Sequence, residues 1–389
     1  MAKTIVILGA NYAGVPLAHY LLKHTTQKVQ DLKVIIVSPN THMYWHIASV
    51  RAIVPDLLSD DQIFLPIAPT LAKYPSKSYE IVLGKAERLD PASNTVEVVT
   101  NQGASRTIHY DAVVIATGSY FRENMPFKIM SSTEETKDRL HEFTKQIAAA
   151  SSVVVAGAGV TGVELAAELG AQYGGKKQIT LISDKSLPLA EKFKTDMRDT
   201  ARRELERFQV KIIPNAKVSG LTKAAGGGAK TTLELSKTDG SKQTLETDVF
   251  IPTYGIVPNT QFVPADLLDA RGYVKQTKTL QVEGQDNVFV VGDAGNLQEP
   301  QGKPTDDQVV HVVKVLDAYL AGAATLPEYQ PSTTVMVGIS LSKTKGTGQM
   351  GSWKIWSWLI TMLKSKHLGV DYAADFVAGS RTITAKSWA

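Results

Sequence analysis

The chain alternates short apolar runs with stretches whose apolar residues recur every three or four positions. An apolar run from Thr4 to Leu8 is followed by a helical stretch, Val15–His24, and by a second apolar run, Lys33–Val37. The same order returns at Ser152–Ala156, Val163–Tyr173 and Gln178–Ile182. Apolar runs that alternate with helical stretches predict a parallel sheet covered by helices. The two units therefore predict an α/β chain with two Rossmann-like, doubly wound domains.

Each unit closes on a further apolar run, at Tyr110–Gly118 and Asp248–Gly255. Polar turns at Gly226–Gly228 and Thr238–Gly240 divide a predicted three-strand meander in the second unit. A final apolar run, Asn287–Val291, leads into a predicted helix from about Asp306 to Tyr319.

These runs divide the chain into three regions. The first domain is discontinuous: residues 1–122 continue as residues 246–330, after the second domain at 123–245. A stretch at 326–332 contains two prolines and predicts a linker. Residues 331–389 form a third region with its own composition.

The composition excludes several kinds of catalytic and binding chemistry. The 389 residues are 43% apolar and 21% charged, the balance of a globular protein, and include no cysteine. This excludes a disulfide framework, a thiolate metal site and a cysteine nucleophile, so redox chemistry must use a bound cofactor. A net charge of +4 is too small to indicate a specific nucleic-acid partner. No metal site is expected, because His42 and His46 have no further candidate ligands.

Targeting signals are not expected. The first apolar run starts at Thr4, which leaves no room for a signal peptide. Ala2 excludes N-myristoylation, and no uncharged apolar run reaches the ~18 residues of a membrane span. We therefore expect a cytoplasmic protein, with attachment to a membrane surface left open.

Both units carry a glycine-rich turn between strand and helix. The second unit has the full G-x-G-x-x-G pattern at Gly157, Gly159 and Gly162, whereas the first has Gly9 and Gly14 with Asn11 at the middle position. Such a turn lets the backbone approach a pyrophosphate at the helix N-terminus. Two copies in strand–turn–helix context predict two dinucleotide sites.

Together with Ala116-Thr117-Gly118, Gly255–Thr260 and Gly292-Asp293, these turns resemble the two-dinucleotide-binding flavoprotein oxidoreductases of glutathione-reductase-like fold. The resemblance spans about residues 4–370. It is greatest to the apoptosis-inducing-factor-like branch, which includes the ferroptosis suppressor type, and more distant to the type II NADH:quinone dehydrogenases. It implies FAD on the first unit and NADH or NADPH on the second. The disulfide reductases of this fold need a cysteine pair that this chain lacks.

The resemblance also implies which residues contact the cofactors. In the first domain these are Gly9, Asn11, Gly14, Ser38, Arg51, Lys85, Ala86, Thr117, Gly118, Gly292, Asp293 and Lys303. In the second they are Gly157, Gly159, Gly162, Ser183 and Lys185. Asp293 matches an aspartate that accepts a hydrogen bond from the ribityl chain, and Arg51 matches a segment that lies along FAD.

Two positions depart from the family pattern. Ser38 and Ser183 stand where an acidic residue usually binds the ribose 2′-hydroxyl at the end of the second strand of each unit. Lys185 would accommodate a 2′-phosphate, whereas Asp184 would favour NADH. The choice of nicotinamide therefore stays open.

Two residues are candidates for catalysis. Glu164 lies in the first turn of the second unit's helix, where the resemblance places a glutamate close to nicotinamide and flavin; its alternative role is a favourable charge at a helix N-terminus. Lys364 matches a lysine near the flavin and quinone end, where it would stabilise negative charge. Its alternative is one more basic surface residue. Glu168, one turn after Glu164, is expected to be structural.

The third region is basic and rich in tryptophan. Residues 340–389 carry a net charge of +5, and Trp353, Trp356 and Trp358 lie within six residues. Trp353, Trp356, Ile360 and Leu363 recur at helical spacing on one side and predict a helix over 353–363. This helix would lie on an anionic membrane through segment 353–366 and line a route for a quinone. The alternative is a core helix.

The sequence therefore predicts an FAD-dependent oxidoreductase that passes hydride from NAD(P)H to a quinone-like acceptor. Fold does not fix the substrate, and two alternatives stay open. One is another flavin reaction, on a small metabolite or an electron-transfer protein. The other is a redox-sensing signalling flavoprotein. The oligomeric state is not predicted.

Overall fold

The structure is a computed structural model that describes residues 2–223 and 230–389. The strands are β1 Lys3–Leu8, β2 Leu32–Ser38, β3 His42–Tyr44, β4 Phe64–Pro66, β5 Tyr79–Asp90, β6 Thr95–Thr100, β7 Ser105–His109, β8 Ala112–Ile115, β9 Ser119–Phe121, β10 Ser152–Ala156, β11 Gln178–Ile182, β12 Lys211–Ile213, β13 Ala216–Lys223, β14 Thr231–Lys237, β15 Lys242–Thr247, β16 Val249–Pro252, β17 Ile256–Pro258, β18 Val288–Val290, β19 Met336–Leu341, β20 Lys345–Met350 and β21 Trp353–Ile355. The helices are α1 Gly14–Tyr20, α2 Ser49–Ala52, α3 Asp60–Ile63, α4 Ala68–Leu71, α5 Thr133–Ala149, α6 Val160–Tyr173, α7 Thr195–Arg207, α8 Gly302–Leu320, α9 Ser357–Ile360 and α10 Ala373–Val377. Wider π-type turns continue α1 over Leu21–Thr25 and α9 over Thr361–Ser365.

The first domain is built on a seven-stranded sheet in the order β18-β8-β1-β2-β5-β6-β7. Its first five strands are parallel, and β6 and β7 continue it as an antiparallel meander. Strand β1 is buried on both faces, because Ile5 and Ile7 enter one apolar core while Val6 and Leu8 enter another. Burial on both faces explains why the strand reads as a continuous apolar run. The predicted α/β fold is confirmed.

The second domain holds a four-stranded parallel sheet in the order β12-β11-β10-β16 and the antiparallel meander β13-β14-β15. Strand β16, at 249–252, pairs in parallel with β10. The predicted boundary after residue 245 is therefore too early, since the sheet keeps the chain in the second domain to Pro252. The turn at Thr238–Gly240 separates β14 from β15. The predicted turn at Gly226–Gly228 lies outside the described residues.

The third region contacts both domains. Strands β19–β21 form a small antiparallel sheet on the second domain, where the Lys194 amide donates to Gln349 Oε1 at 2.8 Å. The last residues return to the first domain, where the buried Asp306 carboxylate of α8 accepts from Thr382 Oγ1 at 3.0 Å and from the Ile383 amide at 2.9 Å. The third region therefore ties the two domains together.

The predicted helix over 353–363 is wrong in its first half. Trp353 and Ile355 belong to β21, which pairs with Met350 and Gly348 of β20. A hairpin forms because Gly351 adopts φ +57°, a conformation that glycine tolerates. The helix begins only at Ser357, so the four residues expected on one helical face, Trp353, Trp356, Ile360 and Leu363, do not share one.

Candidate functional site

The two glycine turns have nearly the same geometry. Gly9 and Gly157 adopt φ values of +105° and +103°, which side-chain-bearing residues rarely take. A Cβ on Gly14 would lie 1.8 Å from the Gly9 carbonyl oxygen, and one on Gly162 would lie 1.8 Å from the Gly157 carbonyl oxygen. Both pairs are therefore required for the strand to turn directly into the helix, as the glycine pattern predicts.

The middle positions of the two turns differ in their surroundings. A Cβ on Gly159 would meet no heavy atom within 4 Å, so that backbone is free to approach a ligand. In the first turn, Asn11 Oδ1 is buried and has no hydrogen-bond partner within the protein. A buried, unpaired amide oxygen is costly, and a ligand with donor groups would satisfy it. Both turns thus fit a bound dinucleotide.

A cavity of about 390 Å³ runs from the first glycine turn along the carboxyl ends of β1, β2 and β8. Of the predicted FAD contacts, it is lined by Gly9, Asn11, Ser38, Lys85, Ala86 and Thr117. Ser38 is buried and its Oγ accepts from the Asn40 amide at 3.2 Å. Its hydroxyl proton is still available to a ribose. The carboxyl ends of strands at a topological switch point are where doubly wound sheets bind nucleotides.

A second cavity of about 60 Å³ adjoins the first and contains Asp293. Asp293 Oδ2 accepts from Ser119 Oγ at 2.9 Å and lies 2.8 Å from the Lys128 ammonium. Burial raises the pKa of this carboxyl, but the Lys128 charge and the two hydrogen bonds outweigh it and lower the pKa below its usual range. Asp293 is therefore an ionised acceptor. Gly118 and Gly292, both predicted, line the same cavity.

Two residues here were not anticipated from the sequence as cofactor contacts, Lys128 and His46. Burial, followed by the Lys128 charge, lowers the pKa of His46 to about 3, so its imidazole is neutral. Its Nδ1 is buried and unpaired, and its ring lies 4.9 Å from that of Tyr12. Lys128 lies in a loop with no motif, so no sequence signal marks it.

In the second domain, the residues after β11 form a tight turn. Ser183 Oγ donates to the Lys185 carbonyl at 2.9 Å and accepts from the Lys185 amide at 3.2 Å. Its hydroxyl proton is already engaged, unlike that of Ser38. Lys185 Nζ lies 3.4 Å from Glu191 on the exposed side of the turn. Asp184 and Lys185 are the charged groups of this turn, so the preference between NADH and NADPH stays open.

The two predicted catalytic residues lie together. Lys364 Nζ is 2.7 Å from Glu164 Oε1, and the Ser340 amide donates to the same oxygen at 2.8 Å. Lys364 also donates to the Gly338 carbonyl at 2.7 Å. Glu164 is only 5% exposed, so the pair forms a largely desolvated contact between α6 and the third region. Lys364 is thus not one more surface residue.

Arg51 does not line either cavity of the first domain. Its guanidinium lies 2.6 Å from Glu168 Oε1 and donates to the Ser365 carbonyl at 2.7 Å. Both side chains are almost fully buried, at 1% and 2% exposure. The guanidinium is thus held between α6 and the third region. The expected contact of Arg51 with FAD is not supported, whereas the structural role expected for Glu168 agrees with this pair.

Lys303 also lies away from the two first-domain cavities. Its Nζ is 2.5 Å from Asp307, one turn later on α8, and it lines a separate cleft of about 340 Å³. Its neighbours Gln301 and Gly302 do line the smaller cavity. The N-terminal turn of α8 therefore faces that cavity, with the lysine on the other side.

A family model of the pyridine nucleotide-disulphide oxidoreductases matches residues 3–310, and the chain belongs to this family. Oxidoreductase ptaL of Pestalotiopsis fici is 37% identical over 97% of this chain and 99% of its own length. Ferroptosis suppressor protein 1 of Taeniopygia guttata is 24% identical over 94% of both chains.

Two solved structures share the fold. Sulfide:quinone oxidoreductase from Aquifex aeolicus has a TM-score of 0.76 at 16% identity, covering 97% of this chain and 92% of the other. NDH2 from Plasmodium falciparum in complex with NADH has a TM-score of 0.73 at 12% identity, covering 100% and 99%. The resemblance read from the sequence is confirmed. The chain is an FAD-dependent oxidoreductase that uses a nicotinamide dinucleotide.

Proposed function

We propose that this protein transfers reducing equivalents from NAD(P)H through FAD to a quinone-like acceptor at a membrane surface. The observation that carries the proposal is the ion pair between the buried Glu164 and the partly exposed Lys364, which joins the nicotinamide-binding helix α6 to the tryptophan-rich third region. With no cysteine in the chain, an acceptor must take electrons from the flavin directly.

The bound cofactors supply the hydride chemistry, and the protein positions them and sets the local charge. Glu164 lies one turn into α6, directly after the glycine turn that receives the nicotinamide dinucleotide. Lys364 holds that carboxylate in place and brings a cation to the same point. A fixed cation at a largely dry site favours negative charge that develops on a reduced ring. Ser340 orients Glu164 from its other side through a backbone hydrogen bond.

The third region exposes an unusual number of large apolar side chains, which we call the tryptophan patch. Trp353, Trp356 and Trp358 are 77%, 71% and 61% exposed, and Met362 and Leu363 are also exposed. Ile360, by contrast, is buried and packs on Gly346 and Gly348 of β20. Exposed lysines at 345 and 366 lie in the same region. Aromatic side chains beside lysines favour the interface of an anionic bilayer. None of the described helices is long and apolar enough to cross a membrane.

The name of one similar protein supports this acceptor class, since one fold neighbour is a sulfide:quinone oxidoreductase. That likeness is one of fold, so the acceptor of this chain rests on the site and on the patch.

Turnover with a short-chain quinone tests the proposal. NADH and NADPH oxidation are followed with the quinone under nitrogen, and with oxygen alone. We expect turnover with the quinone to exceed turnover with oxygen by at least about tenfold. Equal rates with and without quinone would reject a quinone as acceptor and leave the coarser oxidoreductase assignment standing.

A second candidate is reduction of a small, water-soluble aromatic metabolite. The cleft of about 340 Å³ beside α8 favours it, because Gln301 lines both this cleft and the smaller first-domain cavity. The cleft mixes Phe193 and Met336 with Lys192 and Glu299, a lining suited to a polar aromatic ligand. Turnover with water-soluble aromatic acceptors, measured beside the quinone, separates the two candidates.

A further inference from the structure

Lys128 occupies the junction of the two first-domain cavities. Five residues line both cavities: Asn11, Ala116, Thr117, Lys128 and Ile129. The junction adjoins the first glycine turn, where the backbone is shaped to receive a pyrophosphate. Lys128 is therefore the one cationic residue among those shared by the two cavities.

The other charges around the cavities do not offer a comparable cation. Lys85 lines the larger cavity, but its side chain is 63% exposed and lies 3.4 Å from Glu87. Glu135 and Asp293 contribute negative charge. The glycine turn itself offers only backbone N–H groups. Among the described residues that line these cavities, Lys128 is the partly buried cation that a doubly charged pyrophosphate would meet.

The partners of Lys128 in the structure indicate a second, competing role. Its Nζ lies 2.8 Å from Asp293 Oδ2 and 3.4 Å from His46 Nε2. Asp293 already accepts from Ser119, which would continue to satisfy it if Lys128 moved away. The lysine side chain is flexible, so its ammonium can move from one negatively charged partner to another.

We propose that Lys128 exchanges partners when FAD binds. Its ammonium leaves Asp293 and pairs with the FAD pyrophosphate, and Asp293 becomes free to accept a ribityl hydroxyl. Lys128 is thus a cofactor-binding residue whose ammonium alternates between Asp293 and the FAD pyrophosphate. The inference concerns only the binding of FAD, so it does not depend on which electron acceptor the protein uses.

Equilibrium titration of the full-length apoprotein tests the exchange, with FAD and riboflavin as probes because riboflavin lacks the pyrophosphate. Loss of a charge-assisted hydrogen bond should raise the FAD Kd of Lys128→Met about 10- to 100-fold. Riboflavin affinity should change less than about threefold. Lys145→Met, an exposed site on α5 with the same charge change, should bind both flavins like the wild type.

Folding is checked first by circular dichroism and thermal melting of each variant. Lys128→Gln keeps a donor for Asp293 without the charge, so it should stay folded and still lose FAD selectively; Lys128→Arg should retain FAD affinity within about threefold. An unchanged FAD Kd in both neutral variants would overturn the proposal. So would an equal loss of FAD and riboflavin affinity, because Lys128 would then act through Asp293. A wild-type apoprotein that binds neither flavin would instead contradict the cofactor assignment.

Discussion

Lys364 Nζ lies 2.7 Å from Glu164 Oε1 although the residues are 200 positions apart in the chain. The contact spans the second domain and the third region, and the Ser340 amide completes it from β19. In its local sequence each residue is an ordinary charged position, and nothing nearby indicates its partner. Together they form an ion pair, buried at Glu164 and partly exposed at Lys364, that joins the helix after the second glycine turn to the third region.

Breaking this pair should affect both chemistry and stability. Lys364→Met would leave a nearly buried carboxylate with one hydrogen bond, which should cost about 1–2 kcal/mol, since the lysine is partly exposed. Flavin reduction by NADH should slow about 10- to 100-fold if the cation stabilises developing charge. Urea unfolding and stopped-flow absorbance measure the two effects. Lys366→Met, on an exposed neighbour, is the matched control. A stability loss without any change in the reduction rate would assign the pair a structural role only.

The glycine turns allow the two dinucleotide sites to be separated. Gly159→Trp should fold and keep FAD, because a side chain there enters open space rather than protein. It should abolish reduction by NADH and NADPH, since the indole would occupy the place of the pyrophosphate. Flavin absorbance before and after each nicotinamide provides the readout. Reduction at the wild-type rate would show that the second turn does not bind the nicotinamide.

The tryptophan patch should be required for binding to anionic vesicles. Trp356→Ala with Trp358→Ala should weaken co-sedimentation about 10- to 100-fold, because two large apolar side chains would no longer enter the interface. Flavin reduction by nicotinamide should be unaffected. Leu221→Ala removes an exposed apolar side chain from the second domain and should leave vesicle binding intact. Vesicle binding by the double variant at the wild-type level would remove the membrane from the proposed function.

The stability of the protein should fall in mild acid because of His19. Burial, then the Lys73 charge, lowers the pKa of this histidine to about 4. The unfolded chain takes up the proton at about pH 6.5 and the folded chain does not, so acid favours unfolding between these values. The effect at pH 5 should be about 2 kcal/mol, and His19→Gln should lose it. Urea unfolding at pH 7.5 and pH 5 gives the difference; an equal loss in wild type and variant would assign the acid sensitivity to other groups.

Much of the first and second domains could be predicted because local signals agree with the fold. The apolar runs mark the parallel strands, and Gly9 and Gly157 mark turns that require a positive φ. The third region was harder, since Trp353 and Trp356 fit a helical spacing while one of them belongs to a strand. Long-range partners decide such cases: pairing of Trp353 with Met350 is not visible in local spacing.

The candidate site could likewise be predicted only where local sequence determines the position of a residue. Residues within a motif, such as Asp293, could be placed because the motif fixes the backbone around them. Arg51 was assigned to FAD by resemblance. In the structure its guanidinium pairs with Glu168 of the second domain and does not line the cavity. Lys128 belongs to no sequence motif, and it lies beside Asp293 only because of the fold.

The absorption spectrum of the purified protein under nitrogen tests the central claim most directly. We predict an oxidised flavin spectrum that is bleached by NADH or NADPH and restored by a short-chain quinone added afterwards. Recovery with the quinone should be faster than recovery with an equal concentration of oxygen. A folded protein whose flavin is bleached but not restored by the quinone would contradict the proposed acceptor, and one whose flavin neither nicotinamide reduces would contradict the account as a whole.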